Sequence, residues 1–167
     1  MERSEGPFGF EEAGDSPGFL LWQLTNLWQQ AIHAVLSPFG ITHVQFVLLA
    51  SLAWLEKSGG AVSQVALARH AHTDVMMTSQ VLRVLEAKGL LRREANPSDS
   101  RARRMVLTEA GHRIVGQTVP AVEAADGQFF GKLDAESEPG DTHSAQSTDF
   151  TRAMHKLVSA HAGKRPR

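Results

Sequence analysis

The sequence predicts a mainly α-helical fold with one small β-hairpin, and three observations carry that prediction. Apolar residues recur at steps of three and four through most of the chain. Between Ser63 and Gly89 a short helix, a tight turn and a longer helix follow one another, the outline of a helix-turn-helix. Two short arginine-rich stretches then flank Asn96-Pro97-Ser98-Asp99-Ser100, a run of turn-forming residues.

Residues 1–18 are rich in Gly, Pro and Glu without apolar periodicity, and are expected to form a disordered acidic arm. They lack the basic and apolar regions of a signal peptide. From Phe19 a helical stripe of Leu20, Leu24, Leu27, Ala31 and Val35 begins, and Ser37, Pro38 and Gly40 end it. Thr42-His43-Val44-Gln45 is a capping box, in which hydroxyl and amide satisfy each other's backbone N–H. The run from Phe46 to Leu55 is apolar almost all round, which predicts a helix buried on most sides. Ser63 caps a short helix from Gln64 to Ala71. His72-Thr73-Asp74 is the turn, and the longer helix runs from about Asp74 to Lys88 before Gly89 stops it. Leu90 to Ala95 and Arg103 to Leu107 are the expected strands. Thr108 caps a helix to about Leu133, which Pro120 should kink or break. Ala135 to Gln146 is expected as a loop. A last amphipathic helix carries Phe150, Met154, Leu157, Val158 and His161, before a basic tail at residues 163–167.

At 167 residues the chain suits one domain, or a small domain with an oligomerisation element. Its net charge of −1 offers no whole-chain attraction to nucleic acid, so any such argument rests on where charge sits. The absence of cysteine removes disulfides, thiolate metal sites and cysteine nucleophiles together. No stretch approaches the roughly 20 apolar residues of a membrane span, and a cytoplasmic location is expected.

Charge sits in the hairpin. Between Lys88 and Arg104 stand six basic residues (Lys88, Arg92, Arg93, Arg101, Arg103 and Arg104) against two acids, Glu94 and Asp99. On the longer helix, 100° per residue sorts Val75, Thr78, Leu82 and Leu85 onto a core stripe. Thr73, Met76, Met77, Gln80, Arg83 and Ala87 fall on the opposite side. Such a face suits a duplex groove: Gln pairs with adenine, Arg with guanine, and Thr or Met packs on thymine methyls. The first N–H groups of the helix are expected to meet a phosphate. The alternative for Gln80 and Arg83 is a merely solvated face.

Several segments resemble the MarR family of winged helix-turn-helix regulators. Ile41-Thr42-His43-Val44-Gln45-Phe46 is similar to the start of its second helix. Val81 to Leu91 resembles the end of its recognition helix. Asp99-Ser100-Arg101 with Val106-Leu107-Thr108-Glu109-Ala110-Gly111 resembles its wing tip and return strand. The resemblance implies a winged helix-turn-helix domain over residues 42–108. It also implies a helical dimerisation region over 19–41 and 109–162. Arg101 would enter the minor groove while Asp99 braces the wing, with Arg103 and Arg104 beside them. The expected function is sequence-specific DNA binding by a homodimer on a pseudo-palindromic operator, as a repressor released by a small-molecule effector. The alternative is a winged-helix interaction module that does not bind DNA.

No catalytic constellation, cofactor motif or metal-ligand spacing stands out, so neither an enzyme nor a metal protein is expected. Glu109-x-x-His112 has a shared helical face but no matching second pair. Trp22, Trp28 and Trp54, with His33 or His43, are candidates to line an effector pocket, core packing being the plainer reading.

Overall fold

A computed structural model describes residues 7, 9–10, 12–59, 61–96, 99–133 and 145–161, without the side chains of residues 99–102 and 145–148. Eight residues of the expected arm (1–6, 8 and 11), most of the 135–146 loop and the whole basic tail lie outside them, while Ala13–Asp15 of that arm form a 3-10 helix. The described helices are α1 (Pro17–Leu36), α2 (His43–Lys57), α3 (Gln64–His70), α4 (Val75–Ala87), α5 (Glu109–Phe130) and α6 (Ala145–His161). Strands β1 (Leu91–Asn96) and β2 (Asp99–Leu107) form an antiparallel hairpin between α4 and α5. None of these helices is, by itself, long and apolar enough to cross a membrane.

Local chemistry starts α1, α2, α3 and α5. Ser16 caps α1 from the Phe19 N–H, with Pro17 at the first helical position, so α1 begins two residues before Phe19. Thr42 and Gln45 form the expected capping box. Ser63 accepts from the Ala66 N–H at 3.1 Å and Thr108 from the Gly111 N–H at 3.1 Å. Each such cap is worth about 1 kcal/mol.

One apolar cluster holds the helices and hairpin together. Leu48, Leu49 and Leu52 of α2 are fully buried at its centre, against Ile32 and Leu36 of α1, Leu67 of α3, and Leu82 and Leu85 of α4. Leu91, Met105 and Leu107 fasten the hairpin to it, and Val122 brings in α5. Burying one such side chain contributes roughly 1.5–3 kcal/mol.

The apolar stripe of α1 is covered only in part: Val35 packs against the core beside buried Ile32 and Leu36, whereas Leu20 and Leu27 are about half exposed. A three-and-four pattern shows that an apolar face exists, not what covers it. Pro120 does not break α5, which runs unbroken through it.

The junction after the hairpin explains the Leu-Thr-Glu-Ala-Gly run. Leu107 is buried, and its N–H donates to Glu56 Oε1 of α2 at 3.0 Å. The Thr108 hydroxyl donates to the Gly89 carbonyl at 2.6 Å while capping α5. Gly111 lies so close to the Leu90 carbonyl that a Cβ would come within 2.0 Å of its oxygen. Glycine is therefore required there by the approach of two backbones.

Candidate nucleic-acid interface

The turn between α3 and α4 is built from small polar groups. His72 takes a left-handed conformation with φ 51°. The Thr73 hydroxyl lies 2.8 Å from that of fully buried Thr78, which itself donates to the Asp74 carbonyl at 2.7 Å. Helical spacing alone places Thr73 with the outward residues. It precedes the helix, is half-buried, and spends its hydroxyl on the turn.

Beyond the turn, α4 presents a clear outer face. Met76 is 71% exposed, and Gln80, Arg83 and Ala87 follow it along one exposed stripe, with Met77 half-buried beside them. Opposite them Thr78, Leu82 and Leu85 are buried, as expected, and Val75 is half-buried. The start of α4 departs from expectation. Asp74 Oδ1 accepts from the N–H groups of Met76 at 2.8 Å and Met77 at 3.0 Å. The helix N-terminus is thus already capped by an anion, which a phosphate would have to displace.

The hairpin charge is more structured than a count suggests. Lys88 turns away from the hairpin and ties the end of α4 to the start of α2. Its Nζ donates to the Gly40 carbonyl at 2.7 Å and to Gln45 Oε1 at 3.0 Å. Arg93 pairs with Glu86 of α4 at 2.7 Å. Arg104 donates twice to Glu94 Oε2, at 2.7 and 3.1 Å, and Arg92 donates to Glu94 Oε1 at 2.5 Å. These guanidiniums, Arg92 first, hold the Glu94 carboxyl below its usual range. Arg103 is exposed and has no ion pair among the described residues. Asp99 and Arg101 fall on the outer part of β2, outside the residues whose side chains are described.

A second cluster lies where α1, α2 and α5 meet. Trp28 Nε1 donates to Asp126 Oδ1 at 2.7 Å, and the His43 ring meets the Trp28 ring edge-on at 4.9 Å. Burial lowers the His43 pKa, and the Asp126 charge offsets part of that. Trp22 and Trp54 are not in this cluster and are about two-thirds exposed, and His33 is exposed too. Trp54 instead lines a groove of about 650 Å³ between α2 and α5, with Ala50, Ala53, His112, Val119 and Glu123.

Sequence reasoning missed Asp126, which stands 98 residues from its partner Trp28. It also missed Glu86 and Glu94 as arginine partners. Strand register could have exposed Glu94, since it faces Arg104 across the hairpin. No group of three or more metal-ligating side chains occurs among the described residues. Glu109 is paired with Arg113, and His112 lies 3.8 Å from Glu56.

A large apolar surface remains open. On α1, Phe19, Leu20, Leu21, Trp22 and Leu27 are between 41% and 64% exposed. On α6, Leu157 and Val158 are 63% and 52% exposed. Phe150 touches Phe130 of α5, with ring centroids 5.9 Å apart, while every residue from Thr151 to His161 is exposed.

Known proteins share this architecture. Residues 41–102 match the MarR family model. The chain is 45% identical over 121 residues to the HTH-type transcriptional regulator YdcH of Bacillus subtilis, covering 72% of this chain and 82% of that one. It is 33% identical over 148 residues to the HTH-type transcriptional repressor Rv2887 of Mycobacterium tuberculosis, covering 88% and 97%. Rv2887 solved in complex with DNA superposes with a TM-score of 0.61 at 30% identity, over 86% of this chain and 98% of that one. Rv2887 has also been solved with salicylic acid and with p-aminosalicylic acid. CouR of Rhodococcus jostii shares the fold, with a TM-score of 0.73 at 23% identity over 95% and 100% of the two chains. With the helix-turn-helix, the hairpin and these relatives together, the chain belongs to the MarR family.

Proposed function

We propose that the protein is a cytoplasmic transcriptional regulator, most simply a repressor, that binds double-stranded DNA as a homodimer and is released by a small aromatic molecule. The observation that carries this reading is the exposed stripe Met76, Gln80 and Arg83 on α4, next to the arginine-bearing hairpin. A helix entering the major groove needs base-reading side chains on one solvent face, and Gln and Arg supply bidentate donors there. Arg103, and Arg101 with Asp99 at the outer hairpin, extend the contact to the flanking minor groove, whose negative potential favours arginine. Arg104 lies on the opposite hairpin face with Glu94.

The open apolar faces of α1 and α6 support the dimer, and with α5 they form the helical dimerisation region on either side of the 42–108 domain. A two-fold pair would set two α4 helices about one helical turn of DNA apart, roughly 34–36 Å, and so read a pseudo-palindrome. The groove between α2 and α5 is where an effector would act, because it joins the DNA-reading domain to that region. An aromatic acid is the class suggested by the mycobacterial relative. The relatives are regulators by name, and catalysis is no part of this reading.

Anisotropy of a labelled duplex from upstream of the coding sequence, across a salt series, tests it. Tighter binding than to a scrambled duplex is expected, falling steeply with salt and weakened by Arg101→Ala. Equal affinity for both duplexes, or indifference to salt, rejects the reading.

A further inference from the structure

We propose that Glu94 is a positioning residue that sets how many phosphates the hairpin neutralises, by engaging the guanidiniums of Arg92 and Arg104. This rests on the DNA-binding reading above. Buried Leu91, Met105 and Leu107 lock the hairpin register, with Leu91 opposite Leu107 and Arg93 opposite Met105. That register places Glu94 directly opposite Arg104 and two residues from Arg92, so all three side chains share the face that points away from the core. The carboxylate meets one arginine with each oxygen: Oε1 takes Arg92 at 2.5 Å, and Oε2 takes Arg104 twice, at 2.7 and 3.1 Å.

The hairpin therefore holds two kinds of arginine. Arg103 stands on the other face, exposed and without an ion pair among the described residues. Arg92 and Arg104 reach a phosphate at full strength only by leaving Glu94. The Arg92 and Arg104 side chains are 55% and 36% exposed and that of Glu94 is 29% exposed, so the cations lie outermost. Such a solvent-facing pair is weak. A phosphate can compete with it, but each exchange returns less than a free arginine would. Glu94 thus limits the electrostatic part of binding, which carries no sequence information.

The test is the slope of log affinity against log salt for an arbitrary duplex and for the upstream duplex. It compares the native protein, Glu94→Gln, Arg104→Gln and the double variant, each checked for an unchanged thermal unfolding midpoint. Glu94→Gln keeps the shape and removes the charge. It is expected to steepen the slope by about 1–2, at about 0.9 per phosphate gained, and to raise affinity at low salt. Arg104→Gln should make the slope shallower by about 0.9 in the Glu94→Gln background and by less in the native one. An unchanged or shallower slope in Glu94→Gln overturns the proposal. So does an Arg104→Gln effect of equal size in both backgrounds. A native protein that binds neither duplex removes the DNA-binding reading and this inference with it. Native binding with an insensitive Glu94→Gln removes this inference alone.

Discussion

His43 illustrates how much one side chain can join. It starts α2, lies edge-on to Trp28 of α1, and senses the Asp126 carboxylate that Trp28 holds from α5. Burial depresses its pKa below 6.5 in the folded chain, against partial opposition from Asp126. Between the depressed value and 6.5 the unfolded chain binds more protons, so stability rises with pH across that window. The contribution is complete above about 6.5 and is lost as pH falls through the folded value. Glu94 behaves separately. Its carboxyl sits below 4.5, held there by Arg92 and then Arg104, so its share is lost only in more acid solution. The urea midpoint of the native protein is therefore expected to drop between pH 7.5 and pH 5.5, and His43→Gln should shrink that drop. An identical drop in both proteins would show that His43 does not titrate with unfolding.

At the scale of elements, α5 carries an internal conflict. A proline inside a helix costs about 3 kcal/mol relative to alanine, since it lacks an N–H and crowds the preceding turn. Pro120 nevertheless leaves α5 unbroken, because packing decides against it. Val122 is buried in the core two residues on, and Thr118 is buried two residues before, its hydroxyl bonded to the Ile114 carbonyl. Pro120→Ala should restore the missing bond in an already helical backbone. Proline's stiffening of the unfolded chain offsets only about 0.4–1 kcal/mol of that. A net gain of about 2 kcal/mol is expected, as a higher urea midpoint at unchanged m; a lower midpoint would show that the proline geometry itself is needed. The same contrast explains what was legible in the sequence. Thr42 with Gln45, Ser63 and Thr108 act over three residues, so their caps could be read directly. So could the core side of α4, where Thr78, Leu82 and Leu85 follow helical spacing. The overall order of helices and hairpin followed from these signals. The partners of Trp28, Arg93 and Arg104 could not be read this way, because strand pairing and helix packing create those contacts. On α1 and at Thr73 periodicity located a face but not its neighbour.

Across the whole molecule, the unresolved cost is exposed apolar surface. Five large apolar residues on α1 and three on α6 remain exposed in the single chain. Among the described residues, Phe150 against Phe130 is the aromatic tie of α6 to α5, and the last eleven residues of α6 are all exposed. Most of the stability of a helix in a protein comes from packing its amphipathic face, so α6 needs a surface to pack on. A second copy supplies one by symmetry, and each large side chain it covers returns roughly 1.5–3 kcal/mol before the cost of association. A single substitution acts twice in such a pair. Leu157→Glu would place two carboxylates in the apolar contact, and burying a charge there is prohibitive. Sedimentation is expected to give a dimer for the native protein and a monomer for Leu157→Glu, with lower helicity as α6 loosens. DNA affinity should fall more steeply than for loss of one contact, since a monomer engages one half-site and forfeits the effective concentration that links the second. A Leu157→Glu protein that remained a dimer with native affinity would place the two-fold contact elsewhere on the molecule.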